Sequence, residues 1–340
     1  MSKCFRKITR PFLLANQTFQ IIRNACSYVL AGDMETAQLV SSPLNYTGGK
    51  FKLLPQILPF FPEGINTFVD LFCGGGNVGA NAICRNVIFN DSDINLSLLL
   101  NAFKNLDENI IFQWIEETID TYGLSKSCEM GYEYYQCNSG EGLGKFNRER
   151  FYKLRDDFNR QTTRDYKYYV TLYVLIVYAF NNQIRFNADG NFNLPVGKRD
   201  FNKAMQKKLS NFIQRLHEIE CRFMHEDFRN INFEGLTEND FVYADPPYLI
   251  TCAAYNENGG WNKGKETSLL ELLDTINARH IRFALSNVVT SKGKSNSLLI
   301  DWLGKHPNYK CHHLNFNYSN SNYQTKDRTS GSDEVLITNY

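Results

Sequence analysis

No C-x-x-C pair occurs among the nine cysteines, Cys4, Cys26, Cys73, Cys84, Cys128, Cys137, Cys221, Cys252 and Cys311. Their odd number, with no secretory leader, excludes a disulfide scaffold and points to reduced thiols in a cytosol. A metal site is not expected. Long apolar runs are also missing: Tyr168 to Phe180 is the longest, about a dozen residues, too short to span a bilayer and long enough for a buried helix. The first 32 residues carry Lys3, Arg6, Lys7, Arg10 and Arg23 and no acid, yet no small-residue cleavage site follows an apolar core. No signal peptide and no membrane partner are therefore expected, and a cytoplasmic location is. An excess of one charge is lacking too. The formal net charge of +1 neither supports nor excludes a nucleic-acid partner. Internal repeats are absent.

What remains is an ordinary globular composition. With 340 residues, 43% of them hydrophobic, the chain can bury a full core in one large domain that carries an insertion or a second small domain. Residues 1–40 are the least legible, with one helix expected between Phe12 and Leu30. From Asn66 the pattern runs strand, glycine turn, helix, strand, helix: TFVDLF, CGGG, NVGANAIC, NVIFND and INLSLLLNAFKNL. Between about 105 and 224 amphipathic helices take over (IFQWIEETIDTY, RFYKLRDDFNR, KKLSNFIQRLHEIE). A hairpin signal, IRFNADGNFNLP, lies among them, with an Asp189-Gly190 turn. The α/β pattern then resumes in FVYAD, ETSLLELLDTINARH, IRFALSN, SNSLLIDWLGKH and closing strands near CHHLNF and EVLITNY. This predicts an α/β fold with a parallel, Rossmann-like sheet. Residues 41–104 and 225–340 supply the sheet, and 105–224 a mostly helical insertion carrying a β-hairpin.

In such sheets ligands sit past the carboxyl ends of the strands, at the first glycine turn. FVDLFCGGGNVG is that turn. It lacks the G-x-G-x-x-G spacing, places Asp70 inside the strand and follows it with Gly74, Gly75 and Gly76. A carboxylate there repels a pyrophosphate and attracts a cation, which disfavours NAD and suits an adenosyl ligand bearing an ammonium and a sulfonium. Asp91, with Asp93 beside it, ends the next strand where an acid can bind ribose hydroxyls, or cap the following helix. LNYTGGKFKLLP lacks the phosphate-loop spacing. Its Tyr-Thr-Gly-Gly-Lys turn either closes over such a ligand or simply opens a helix from Lys52 to Leu58.

FVYADPPYLI holds the sharpest signal. A buried strand ends in an acid, two prolines and a tyrosine, so the Asp245 carboxylate, the Pro246 carbonyl and the Tyr248 ring are held in a stiff arrangement by Pro246 and Pro247. The cluster offers acceptors and an aromatic face. A planar exocyclic amine fits it: Asp245 and the Pro246 carbonyl accept the two N–H bonds while Tyr248 stacks on the ring. Polarised in this way, the nitrogen lone pair localises for attack on an electrophilic methyl. A base buried in a duplex must first be extruded, at a cost of a few kcal/mol.

The order YTGGK, DLFCGGG, an insertion with RFNADGNFNLPVGKR, then DPPY resembles the DNA adenine-N6 methyltransferase (Dam) family, over roughly residues 41–340. The resemblance implies S-adenosyl-L-methionine as cofactor, held by Tyr46, Lys50, Asp70, Phe72, Gly74, Gly76, Asp245 and either Asp91 or Asp93. It further implies Asp227 and Phe228 at the cofactor's adenine and Asp245, Pro246, Pro247 and Tyr248 as the catalytic tetrad. Double-stranded DNA is the implied partner, read through the insertion at a GATC or GA-containing site, and a cognate restriction endonuclease is a further one.

In the hairpin, Arg185 and Asn187 share a face; arginine suits guanine, and Asn191 or Asn193 an adenine edge. Lys198 and Arg199 suit phosphates, and Pro195 completes the family's R-F-N-x-x-G-x-F-N-x-P pattern. Two other readings remain: methylation of another planar amine, in RNA or on a glutamine side chain, and a DNA-binding protein with an inactive methylase core.

Overall fold

Strands β1, Ile65–Asp70, and β4, Phe241–Ala244, lie side by side and parallel, with Phe68 opposite Phe241 and Asp70 opposite Tyr243. Successive side chains of a strand point to opposite faces. Phe68, Phe241 and Tyr243 therefore share one face, where Phe61 packs on all three. Val69, Leu71, Val242 and Ala244 enter a core on the other face with Leu269, Leu273, Phe283 and Trp302. Burial on both sides explains why these runs are almost continuously apolar.

The computed structural model describes residues 38–46, 48–251, 260–315 and 332–340; the helix expected between Phe12 and Leu30 lies outside them. The remaining strands are β2 (Cys84–Asn90), β3 (Glu220–Met224), β5 (Arg282–Ser291), β6 (Lys294–Ser295), β7 (Lys310–Leu314) and β8 (Asp333–Thr338). They run in the order β3-β2-β1-β4-β5-β8-β7, with β6 on β5. The first five are parallel, and β8 runs antiparallel between β5 and β7. Strand order reverses between β1 and β4, which opens a crevice at their carboxyl ends. The expected Rossmann-like α/β sheet is present.

Between β2 and β3 run α1 (Ile94–Asn105), α2 (Glu108–Tyr122), α3 (Ser127–Tyr134), α4 (Gly144–Asn159), α5 (Tyr166–Tyr178) and α6 (Lys203–Glu218). Asp93, Asp107, Asp165 and Asn202 cap α1, α2, α5 and α6 by accepting backbone N–H bonds. Helix α5 is the long apolar run: Tyr168 to Tyr178 are all buried, with α1, α2 and α4 packed on it. Through α1 these helices belong to the same unit as the sheet, Val40–Tyr340. Helices α7 (Lys263–Ala278) and α8 (Ser297–Lys305) pack against β5. No helix among the described residues is long and apolar enough to cross a membrane.

Two expectations need correction. NVGANAIC is not a helix: a single 3-10 turn, Gly79–Asn81, is followed at Cys84 by β2. This segment's polar groups serve its neighbours instead. Asp70 takes the Gly79 N–H, and the Asn77 and Asn81 amides pair with the backbone of Ser42 and Val40. Secondly, ECRFM forms β3, which pairs along β2; its partial burial and weak alternation hide it in the sequence.

Candidate active site

Asn77 and Asn81 hold residues 40–42 against the glycine turn and so bring the Tyr46–Lys50 segment to the crevice. Gly74 has φ +48°, and a Cβ there would lie 2.7 Å from the Tyr46 ring, so only glycine allows the ring to close over the turn. Gly76 likewise has positive φ. Asp70 points into this turn. Its Oδ2 accepts the Gly79 N–H at 2.9 Å, whereas its buried Oδ1 has no hydrogen-bond partner among the described residues. Burial pushes the carboxyl up to about 7, with the Gly79 N–H opposing and Asp245 and Asp91 reinforcing the rise. A buried acceptor in that condition is suited to an incoming cation or N–H donor.

Asp91 Oδ2 accepts the Gly74 N–H and Oδ1 the Asp93 N–H, both at 3.0 Å. Its carboxyl is pushed up to about 6 by burial. Asp93 uses Oδ1 to cap α1. The expected ribose acids are thus both beside the turn, one bracing it and the other opening a helix.

At the end of β4, Pro246 is buried and Pro247 exposed. Lys50, 4% exposed, places Nζ 3.0 Å from Asp245 Oδ2, 3.0 Å from the Gly48 carbonyl and 3.4 Å from Glu334 Oε1. The Tyr248 hydroxyl lies 3.1 Å from Asp245 Oδ1 and 2.8 Å from Glu334 Oε1, and the Lys50 ammonium sits 4.9 Å from its ring centroid. Burial lowers the ammonium's pKa, but Asp245 and Glu334 outweigh it and the net shift is upward. Burial raises Asp245, and Lys50 pulls it back. Glu334, on β8, escaped the sequence reading; the only hint was an acid opening the apolar run EVLIT.

The HEDF segment reaches the same crevice through Asn90, also missed. Its amide donates to the Leu71 and Glu226 carbonyls and accepts the Glu226 N–H, tying β1 to the residues after β3. Phe228 is buried against Phe72 and Trp261, with ring centroids 5.3 to 5.6 Å apart. Asp227 caps its own turn and pairs with Arg229 at 2.7 Å; that hydrogen-bonded partner lowers its carboxyl to about 2.

The hairpin lies apart from this cluster in sequence and differs in detail from expectation. The Asn187 N–H donates to the Asn191 carbonyl and the Gly190 N–H to the Asn187 carbonyl, closing a three-residue loop with Gly190 at φ +76° rather than a tight Asp189-Gly190 turn. The Asn187 side-chain oxygen accepts the Asp189 and Asn191 N–H bonds, so it is spent on the loop and is not presented with Arg185. Arg185 Nε donates to Asn193 Oδ1 at 2.7 Å. Asn191 is half-buried, and Pro195, Lys198 and Arg199 are exposed. The Asn159 amide of α4 brackets the Phe192 backbone, donating to its carbonyl and accepting its N–H.

A family model described as D12 class N6 adenine-specific DNA methyltransferase matches residues 46–319. Type II methyltransferase M.FokI of Planomicrobium okeanokoites is 42% identical over 316 residues, 91% of this chain and 44% of its own length. Modification methylase StsI of Streptococcus sanguinis is 40% identical, covering 90% of this chain and 44% of its own. DNA adenine methylase of Escherichia coli (strain K12) is 26% identical over 72% of this chain and 79% of its own. The chain thus spans less than half the length of the first two. Together with the Asp245 cluster at the end of β4, the family match means that this chain belongs to the D12 class of N6 adenine-specific DNA methyltransferases.

Proposed function

We propose that this protein transfers the methyl group of S-adenosyl-L-methionine to N6 of an adenine turned out of double-stranded DNA, at a GATC or GA-containing site. The observation that carries the reading is the juxtaposition of two acceptor sets at the crevice. One is Asp70, bonded to Gly79 through Oδ2 and with no partner for Oδ1 among the described residues; the other is the Asp245 carboxylate with the Pro246 carbonyl after β4.

Asp70 would hold the methionine ammonium, Asp91 or Asp93 would meet the ribose, and Phe72 and Phe228 would flank the adenine end. The bound cofactor supplies a methyl carbon made electrophilic by its sulfonium. Asp245 and the Pro246 carbonyl accept the two N–H bonds of the target amine and hold its lone pair toward that carbon, while the base stacks on Tyr248. Stacking worth roughly 1–3 kcal/mol offsets part of the unstacking cost. With the cofactor bound, the N–C bond would form as the S–C bond breaks to leave a neutral thioether, and the nitrogen, acidic only once it carries the methyl, would release one proton to solvent, so no strong base is needed.

The hairpin reads the site. Arg185, steered by Asn193, meets a guanine, and Lys198 and Arg199 hold phosphates. The relatives' names, type II methyltransferase and modification methylase, are in keeping with a cellular partner in a restriction endonuclease of the same site.

Purified protein given methyl-labelled cofactor and duplexes varied in sequence should place label on adenine N6. Asp245→Ala should abolish transfer and leave cofactor binding within about threefold. Label absent from adenine with every duplex would reject the reading.

A further inference from the structure

Among the described residues, four donor hydrogens and two carboxylates meet at the end of β4, and the sharing of these donors limits what Asp245 can do. The Lys50 ammonium has three N–H bonds and three acceptors, the Gly48 carbonyl, Asp245 and Glu334. The Tyr248 hydroxyl has one proton and two carboxylates in reach, Glu334 at 2.8 Å and Asp245 at 3.1 Å. It can serve only one of them. The shorter distance, and the burial of Glu334 at 1% exposure against 16% for the Asp245 side chain, favour Glu334.

Building on the adenine-methyltransferase reading, we propose that Glu334 is a positioning residue: it accepts the hydrogen bond of the Tyr248 hydroxyl and a share of Lys50, and so leaves Asp245 Oδ1 open for the target amine. Without it, both donors fall on Asp245, whose two oxygens are then occupied by the protein itself. A saturated carboxylate polarises an incoming N–H bond weakly. Glu334 reaches this place because β8 runs antiparallel between β5 and β7, which brings Glu334 opposite Val288 and next to the end of β4. The carboxylate thus acts through Tyr248 and Lys50, and no contact with substrate is required of it.

The test is a pair of substitutions read in single-turnover methyl transfer, with cofactor binding measured alongside. Glu334→Leu removes both the charge and the acceptor at similar volume. The rate should fall about tenfold or more, while the cofactor Kd and the KM for DNA stay within about threefold. Adding Tyr248→Phe to that variant deletes the hydroxyl released onto Asp245, and the rate should then rise again, a rescue that a purely packing role for Glu334 would not produce. Should the leucine variant fail to fold, Glu334→Asp keeps the charge, draws it back from Tyr248 and serves the same comparison. An unchanged rate in the Glu334 variant would overturn the inference, as would a Tyr248→Phe change that lowers the variant by the same factor as it lowers the parent protein. A parent protein that never labels adenine would instead reject the methyltransferase reading itself.

Discussion

A lysine ammonium that is almost wholly enclosed persists only because carboxylates surround it, and Lys50 shows how tightly the two depend on each other. Lys50→Met leaves Asp245 and Glu334 facing one another without the ammonium. Removing one side of such a buried pair costs about 3–5 kcal/mol. The expected outcome is a fall of that size in urea-denaturation stability and loss of methyl transfer, with the near-isosteric side chain excluding a simple cavity as the cause. The family resemblance implied Lys50 at the cofactor, while the residues alone left its glycine turn open between a ligand loop and a plain helix start. Neither showed the ion pair, since Asp245 and Glu334 lie far along the chain and only the sheet brings the three together.

Among the elements, the hairpin depends on helix α4. A strand pair this short is marginal alone, and the Asn159 amide substitutes for a neighbouring strand by pairing with both backbone groups of Phe192. Asn159→Ala leaves the Phe192 N–H without its acceptor at a residue 1% exposed, which should cost roughly 1–2 kcal/mol. Hydrogen exchange should show the Phe192 amide losing protection. DNA-site discrimination should weaken while cofactor binding holds. The hairpin itself was legible from its alternating residues and turn glycine, whereas its loop type and the use of Asn187 inside the loop were not. Both depend on φ signs and on hydrogen bonds that residue types alone leave open. The same limit explains the missing helix after the glycine turn: NVGANAIC has a helix-compatible composition, but its amides are committed to residues 40–42 and to Asp70.

For the molecule as a whole, the buried acids at the crevice tie stability to pH. Asp70, raised to about 7 from 3.8, binds its proton more tightly in the folded state than in the unfolded chain. Its stabilising contribution is therefore complete below about pH 4 and is lost as pH rises through about 7, with a slope approaching ~1.4 kcal/mol per pH unit. Asp91, raised to about 6, adds in the same direction. Asp70→Asn keeps an acceptor for Gly79 and removes the titration. Denaturation curves of the ligand-free protein from pH 4 to 7 should then decline less steeply in the variant, and S-adenosyl-L-methionine should bind the variant more weakly. Equal slopes would show that Asp70 does not carry the dependence.

Local chemistry along the chain was enough to determine the alternating strands, the glycine turn with its internal acid, the buried helix at Tyr168–Tyr178 and the rigid Asp-Pro-Pro-Tyr strand end. Each is set by neighbours within a few residues, through periodicity, proline stiffness and glycine's freedom. Tertiary structure alone decided that the Tyr248 hydroxyl faces Glu334 across 86 residues of chain, that Asn90 fastens the HEDF segment to β1 and that Trp261 joins Phe72 and Phe228. Those contacts come from strand order and register, and strand order is a property of the whole sheet that no short stretch of residues contains.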